Sequence, residues 1–316
     1  MKKLLTFSLL SAFCCTLASG QQKISFMPSW IDQAQFAGFY MAYEKGFYAE
    51  EGLDVTIRHM KQGSSRSSLD YLEKGEVDIC TSQLITSMIE RGKGKKIVNV
   101  LQLAQNTGLM LVSRTPLKSF RDIEGKKVGR WKSAYFEIAE IFCNDYKINV
   151  DWITYLNDVN IFISGAVDAT LCFSYHEYFN LLFAKGSIPK DHTLRFSDLG
   201  YNFPEDAVFT TDSFYRNNRD AVEKFVRATK RGWEYAAKNR EEAMDTVMEY
   251  VKKNNVATNR PMQRFMLDEI LNLQVNSQSG RADFKKVEER VVNMLNDALM
   301  NLDEEYRPVI YKDFIK

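Results

Sequence analysis

From residue 21 onward the chain switches repeatedly between two hydrophobic periods. Short apolar runs and strict alternation mark strands, whereas apolar residues at three- and four-residue spacing mark helices. "KISFMP" reads as a strand and "AGFYMAYEKGFYAEEG" as a helix closed by Gly52, because a glycine past the last turn is a common helix stop. "LDVTIRHM" alternates as a strand, "SSLDYLEKGEV" is helical, "VDICTS" is a strand, "QLITSMIERGKG" a helix, and "KIVNVLQLAQ" and "LMLVSR" are strands. After Arg114 the alternation begins again with "SFRDIEGKKVGR", a helical turn and a strand. "SAYFEIAEIFCNDY" follows as a helix, "NVDWITYL" as a strand, "VNIFISGAV" as a helix, "DATLCFS" as a strand and "HEYFNLLFAKG" as a helix. From Asp212 onward the pattern is mainly helical.

Strands alternating with helices at this spacing predict α/β lobes with largely parallel sheets. The expected division is residues 21–112 for the first part of lobe 1, 113–206 for lobe 2, and 207–316 for a return to lobe 1 with C-terminal helices. A chain that builds one lobe, builds another and returns leaves a cleft between them.

The first twenty residues stand apart. Lys2 and Lys3 precede an apolar run from Leu4 to Leu17 and then the small residues Ala18, Ser19 and Gly20, the pattern of a secretory signal peptide. The run is shorter than the roughly 20 apolar residues of a membrane span. Phe13 and Cys14 stand where lipid attachment at Cys14 or Cys15 wants a small residue, which disfavours a lipoprotein. Without residues 1–20, which hold two lysines and no acid, the balance of 42 basic and 41 acidic residues becomes 40 against 41. A nearly neutral chain has no electrostatic footprint for nucleic acid, so a ligand is read by a local site. Cys80, Cys143 and Cys172 are odd in number and widely spaced, and read as small buried apolar residues rather than a disulfide framework.

"AGFYMAYEKGFYAEEGLDVTI", "LEKGEVDICTS", "IEGKKVGRW", "SGAVDATLCFSYHEYFNLL" and "AVEKFVRATKRGWEYAAKNREEAMD" closely resemble, in register, the solute-binding proteins of ABC importers that include thiamine-pyrimidine-precursor binders. The wider set contains nitrate, sulfonate and taurine binders. The resemblance implies an α/β, two-lobed type 2 periplasmic binding protein fold with the ligand cleft between lobes. It further implies hinge closure on a small molecule, delivery to an ABC permease in the inner membrane, a periplasmic location and a monomer.

Ligands in open α/β sheets sit beyond the carboxyl ends of strands. On that rule "PSWIDQAQ" projects Trp30, Asp32, Gln33 and Gln35 from the end of the first strand into the cleft. An aromatic face beside amides suits a flat heterocycle with ring nitrogens. Gly38 is read as a site of close packing or close ligand approach, and Tyr40 as the ring of its helix that offers a hydroxyl. In "KQGSSRSS", Ser64 or Ser65 is expected to cap the next helix, with Ser64 also a candidate contact; Ser82 ends a strand. Across the cleft, "GRWKSAYFE" offers Trp131 as a second aromatic wall, with Ser133 at a helix start and Tyr135 beside it.

A Tyr-x-Glu segment follows the corresponding strand in the pyrimidine-binding branch, and the resemblance carries it onto Tyr175 and Glu177, with Asn180 nearby. A carboxylate accepts a hydrogen bond from an exocyclic amine and pairs with a protonated ring nitrogen. A nitrate or sulfonate site would want donors instead. The expected ligand is therefore a thiamine-type aminopyrimidine, with a flavin precursor or a sulfonate as alternatives.

The resembled family has an enzymatic relative, the fungal-type pyrimidine synthase, which carries a lysine after the "VD" strand, a histidine four residues later and a cysteine cluster. Alignment on Val77 and Asp78 puts Ser82 and Thr86 at the first two positions, and "LGYNFPEDAVFTT" stands in place of the cluster. His59, His176 and His192 have no metal-ligand spacing, and "HEYFN" puts Asn180 where a zinc-protease helix needs its second histidine. No enzyme activity, cofactor or metal is expected.

Overall fold

The computed structural model describes residues 20–132, 137–155, 159–274 and 284–316. The expected signal peptide lies, apart from Gly20, outside the described residues. Among the described residues, ten strands form two five-stranded sheets, each flanked by helices. The first sheet contains β1 (Gln22–Met27), β2 (Leu53–Ile57), β3 (Ile79–Gln83) and β4 (Ile97–Gln102). The second contains β5 (Leu109–Ser113), β6 (Lys127–Trp131), β7 (Asp151–Tyr155), β8 (Ala169–Phe173) and β9 (Thr193–Arg195). β10 (Asp206–Thr211) returns to the first, giving the orders β2-β1-β3-β10-β4 and β7-β6-β8-β5-β9.

Each sheet is mixed, which corrects the expectation of largely parallel ones. β10 runs antiparallel to β3 and β4, and β5 antiparallel to β8 and β9. The reason is connectivity: a strand that arrives from the other lobe enters its sheet from the cleft end, opposite to the strands already there. The crossovers lie between β4 and β5 and between β9 and β10, so β5 as a whole belongs to the second sheet although the expected boundary at residue 112 falls inside it.

The two sheets repeat one device. "GEVD" and "GAVD" each end a helix with a glycine at positive φ, Gly75 at 68° and Gly165 at 94°, and deliver an aspartate to the foot of a strand. Asp78 Oδ2 accepts from Ser25 N–H at 2.8 Å and Ser25 Oγ–H at 2.6 Å, which fixes β3 beside β1. Asp168 Oδ2 accepts from Lys127 N–H at 3.0 Å, which fixes β8 beside β6.

The helices Ala37–Glu44 and Arg219–Lys238 pack backbone to backbone on the first sheet. A methyl group added at Gly38 would lie 2.1 Å from the Trp233 indole, and one at Gly232 2.1 Å from the Gly38 carbonyl oxygen. Phe26, Phe39, Tyr48 and Phe225 fill the space around this contact, with Phe26 and Phe39 stacked at 4.5 Å. Gly38 thus meets the close-packing half of its expectation and faces Trp233 rather than a ligand. Overpacking a filled core typically costs about 1–3 kcal/mol. Gly38→Ala is therefore expected to lower stability by about 3 kcal/mol, measured by urea unfolding, and a loss below about 0.5 kcal/mol would contradict this contact.

Candidate functional site

The loop after β1 is held by buried polar bonds. Asp32 is almost fully buried, and its Oδ1 accepts from the Tyr40 hydroxyl at 2.6 Å and lies 2.5 Å from His59 Nδ1. Its Oδ2 accepts from Asn254 Nδ2 at 2.7 Å. Ala34 N–H donates to Gln263 Oε1 and Ser29 N–H to Thr81 Oγ1. Two expectations are corrected here. Asp32 anchors the loop instead of projecting from it, and Tyr40, fully buried and stacked on Tyr250 at 4.3 Å, gives its hydroxyl to Asp32.

The anchored loop leaves Trp30 41% exposed, and its indole stacks on no other ring among the described residues. Gln33 and Gln35 turn inward. Gln33 Nε2 donates to Gln35 Oε1 at 2.5 Å, and Gln35 Nε2 donates to Asp206 Oδ2 at 2.5 Å. Asp206 is buried at the start of β10, opposite Gln83 at the end of β3. Burial pushes its carboxyl up to about 6, with the Gln35 donor opposing that rise. Its Oδ1 has no hydrogen-bond partner among the described residues.

The second lobe offers an aromatic ladder. Trp131 at the end of β6 stacks on Phe173 at 4.8 Å, and Phe173 on Tyr175 at 4.9 Å, with Tyr155 tilted against Trp131. Trp131 Nε1–H donates to Glu177 Oε1 at 2.8 Å, and Phe173 N–H donates to Glu177 Oε2 at 2.9 Å. His176 Nδ1 stands 3.4 Å from Glu177 Oε1. Burial disfavours the Glu177 charge, yet the His176 charge and the two N–H donors outweigh it and hold the carboxyl below its usual range. The same pairing lifts His176 above its ordinary value despite burial.

The expected roles of Trp131 and Glu177 change accordingly. One face of the Trp131 indole is taken by Phe173, and both Glu177 oxygens have donors within the protein. Glu177 orients an aromatic wall. Its bond to Trp131 joins residues 46 positions apart, so no local pattern announces it.

The remaining nominees separate. Ser82 is buried in β3, and its hydroxyl has no hydrogen bond to another described residue. Ser64 is exposed and bonds to Arg66, and the cap of the helix Ser68–Glu73 is Ser67, which forms a capping box with Asp70. Neither Ser64 nor Ser65 caps it. Ser67 stands two residues before the apolar spacing begins at Leu69 and has an acid, Asp70, three residues on, a signal that was present in the sequence. Ser133 and Tyr135 lie outside the described residues. Tyr175 is buried beside the crossover residue Gly108. The sequence reading missed Asp206, Gln83, Phe173 and Ser174. Gln83 Oε1 and Ser174 Oγ are, like Asp206 Oδ1, buried without a partner among the described residues.

Two surface hollows lie apart from these groups. One of about 300 Å³ runs between β4 and the helix Arg219–Lys238, and one of about 760 Å³ lies among the helices Leu84–Gly92, Glu137–Tyr146 and Glu289–Leu302. Neither is lined by a nominated residue. Among the described residues no cluster of histidine, cysteine or carboxylate can hold a metal ion, and no helix is long and apolar enough to cross a membrane. Cys80, Cys143 and Cys172 are free and buried, as expected.

Comparison with known proteins adds the following. A family model described as NMT1/THI5 like matches residues 33–243, more than half of the chain. The riboflavin-binding protein RibY of Chloroflexus aurantiacus is 23% identical over 259 residues, covering 79% of this chain and 72% of its own length. The 4-amino-5-hydroxymethyl-2-methylpyrimidine phosphate synthase of Aspergillus parasiticus is 24% identical over 229 residues, covering 67% and 66%. Among solved structures, the periplasmic aliphatic sulphonate binding protein SsuA of Escherichia coli superposes with a TM-score of 0.70 at 14% identity, over 93% of this chain and 92% of that one. The Candida albicans CA3427 gene product, described as having the generic periplasmic binding protein fold, gives 0.63 at 13% identity over 93% and 96%. The fold is that of the periplasmic binding proteins, as expected.

Two outcomes test the site. Replacing Glu177 by Gln sets an N–H₂ group against one of the two donors, Trp131 Nε1–H or Phe173 N–H, and an unsatisfied buried group costs about 1–3 kcal/mol. Glu177→Gln should lose stability in that range and shift the Trp131 emission obtained by subtracting a Trp131→Phe spectrum; an unchanged emission would contradict the clamp. Asp206, with a folded value of about 6 against an ordinary 3.8, holds its proton more tightly when folded. Its contribution is therefore present below about pH 4 and lost as pH rises through 6. Asp206→Asn should gain about 1–3 kcal/mol at pH 7.5 and little at pH 4, read from unfolding curves at both values.

Proposed function

The chain belongs to the NMT1/THI5-like family, and from that membership we propose that it is the exported solute-binding component of an ABC importer, with a thiamine-type aminopyrimidine as ligand. The observation that carries this reading is the buried Trp131–Glu177 bond, an indole held by a carboxylate at the carboxyl end of β6. The two lobes are joined by two crossovers, and a ligand touching both favours the closed population. Closure is what a permease can read. The amino-terminal segment, with its lysines, apolar run and small residues, supports export to the periplasm. The mature chain, starting near Gln21, acts as a monomer that takes one small molecule.

Synthase activity is the weaker reading. Ser82 and Thr86 occupy the positions at which the synthases resembled here carry lysine and histidine, and neither side chain offers a base or an amine. A flavin-type ligand is the second reading, favoured by the similarity to the riboflavin-binding protein. Both ligands are flat heterocycles that stack on indole, and their hydrogen-bonding edges separate them.

Calorimetric titration of residues 21–316 with a formylated aminomethylpyrimidine, riboflavin and taurine decides among these. The expected result is micromolar or tighter binding of the pyrimidine with at least tenfold weaker binding of the other two. Binding of riboflavin alone would transfer the assignment to the second reading, and heat from taurine alone would overturn both.

A further inference from the structure

Glu177 is occupied within lobe 2, but lobe 1 holds a carboxylate that is not. Asp206 lies at the cleft end of the first sheet, one residue beyond the crossover that brings the chain back from lobe 2. Its residue exposure is 7%, its Oδ2 takes the Gln35 amide, and its Oδ1 has no partner among the described residues. Across the β3–β10 ladder stands Gln83, whose Oε1 is also buried and unpartnered among the described residues. Buried polar atoms are nearly always paired, so two unpartnered acceptors opposite each other on one ladder call for an explanation.

Both orphans are acceptors. The Gln33–Gln35 relay ends on the other oxygen of the same carboxylate, and Gln33 and Gln35 are themselves buried. Resting on the proposed function above, we infer that Asp206 and Gln83 form the polar recognition point of lobe 1 and select ligands with two adjacent N–H donors, the edge of a cyclic amidine. An exocyclic amino group next to a protonated ring nitrogen has that edge, one N–H going to Asp206 Oδ1 as a charge-assisted bond and the other to Gln83 Oε1. A flavin ring offers one N–H between two carbonyl oxygens, which would face these acceptors. A sulfonate would set oxygen anions against a carboxylate with no intervening donor.

Gln33 and Gln35 become positioning residues that act through Asp206, a different role from the ligand contacts their sequence position suggested. Ser82 precedes Gln83 in β3 and points to the opposite face of the sheet, so it does not share this edge.

The test uses residues 21–316 and three variants, Asp206→Asn, Gln83→Met and Gln35→Met, titrated with a 4-aminopyrimidine carrying a formylaminomethyl group, the 4-oxo analogue that lacks the amino group, riboflavin and taurine. Asp206→Asn should keep or raise the melting temperature at pH 7.5 and yet weaken the aminopyrimidine by at least thirtyfold, a combination that a purely structural role does not produce. Gln83→Met should weaken it about fivefold to tenfold, and the unsubstituted protein should bind the 4-oxo analogue at least tenfold less tightly than the aminopyrimidine. If the aminopyrimidine binds the protein and Asp206→Asn equally well, the inference about Asp206 falls while the proposed function stands. If the unsubstituted protein binds only riboflavin or only taurine, both fall. Should Asp206→Asn not fold, Gln83→Met and Gln35→Met, which leave Asp206 in place, decide the matter, and aminopyrimidine affinity unchanged in both would overturn the inference.

Discussion

A buried carboxylate on the return crossover holds the two lobes in register. Glu205 Oε1 accepts from the Thr107 hydroxyl and from Gly108 N–H, each at 2.7 Å, so the outgoing and returning chains run side by side. Its own carbonyl oxygen accepts from Leu84 N–H and from Gln102 Nε2. Asn202 and Asn106 add side-chain bonds across the same pair of segments, and Leu273 caps the outgoing one through Gln105 and Asn106. Two parallel connections tied in this way leave one soft direction, the opening and closing of the cleft. They also fix where the next residue goes. Asp206 follows Glu205 directly and cannot reach the first sheet except at its cleft end.

The chemistry of the cleft is divided between the lobes by the same constraint. Lobe 2 holds a buried aromatic row, Trp131, Phe173 and Tyr175, bound to Glu177 through the Trp131 indole N–H. Lobe 1 supplies an exposed indole, Trp30, and buried acceptors, Asp206 Oδ1 and Gln83 Oε1, without partners among the described residues. Two buried carboxylates thus have opposite fates. Glu177 is surrounded by donors and stays ionised, whereas Asp206 has one donor and is pushed toward its neutral form. A group held at that cost in the free protein is suited to a ligand that repays it, because the charge becomes favourable only when a donor or cation arrives.

Strand and helix order, two lobes and two crossovers were legible in the sequence because hydrophobic periods are local. The repeated "VD" after glycine stands in the sequence but went unread, and its structural meaning, a carboxylate at the foot of a parallel strand, is the same in both lobes. β10 was not recognised, since "DAVFTT" follows an irregular segment and its place between β3 and β4 is set by pairing with residues more than a hundred positions away. The site divided along the same line. Trp30, Trp131 and Glu177 announced aromatic and acidic chemistry by type, but which acid has a free oxygen depends on contacts between remote segments. Tyr40 shows the converse error: a tyrosine on a helical apolar face is ambiguous by period alone, and its partners, Asp32 in the preceding loop and the distant Tyr250, decide that it is core.

The central claim is that one ligand bridges an aromatic wall in lobe 2 and an acceptor pair in lobe 1. A crystal structure of residues 21–316 with the aminopyrimidine bound tests it most directly. The account requires a ligand nitrogen about 2.7–3.1 Å from Asp206 Oδ1 and the ring lying against Trp30 or Trp131. A ligand seated in either surface hollow, or in the cleft with Asp206 Oδ1 still unpartnered, would contradict it.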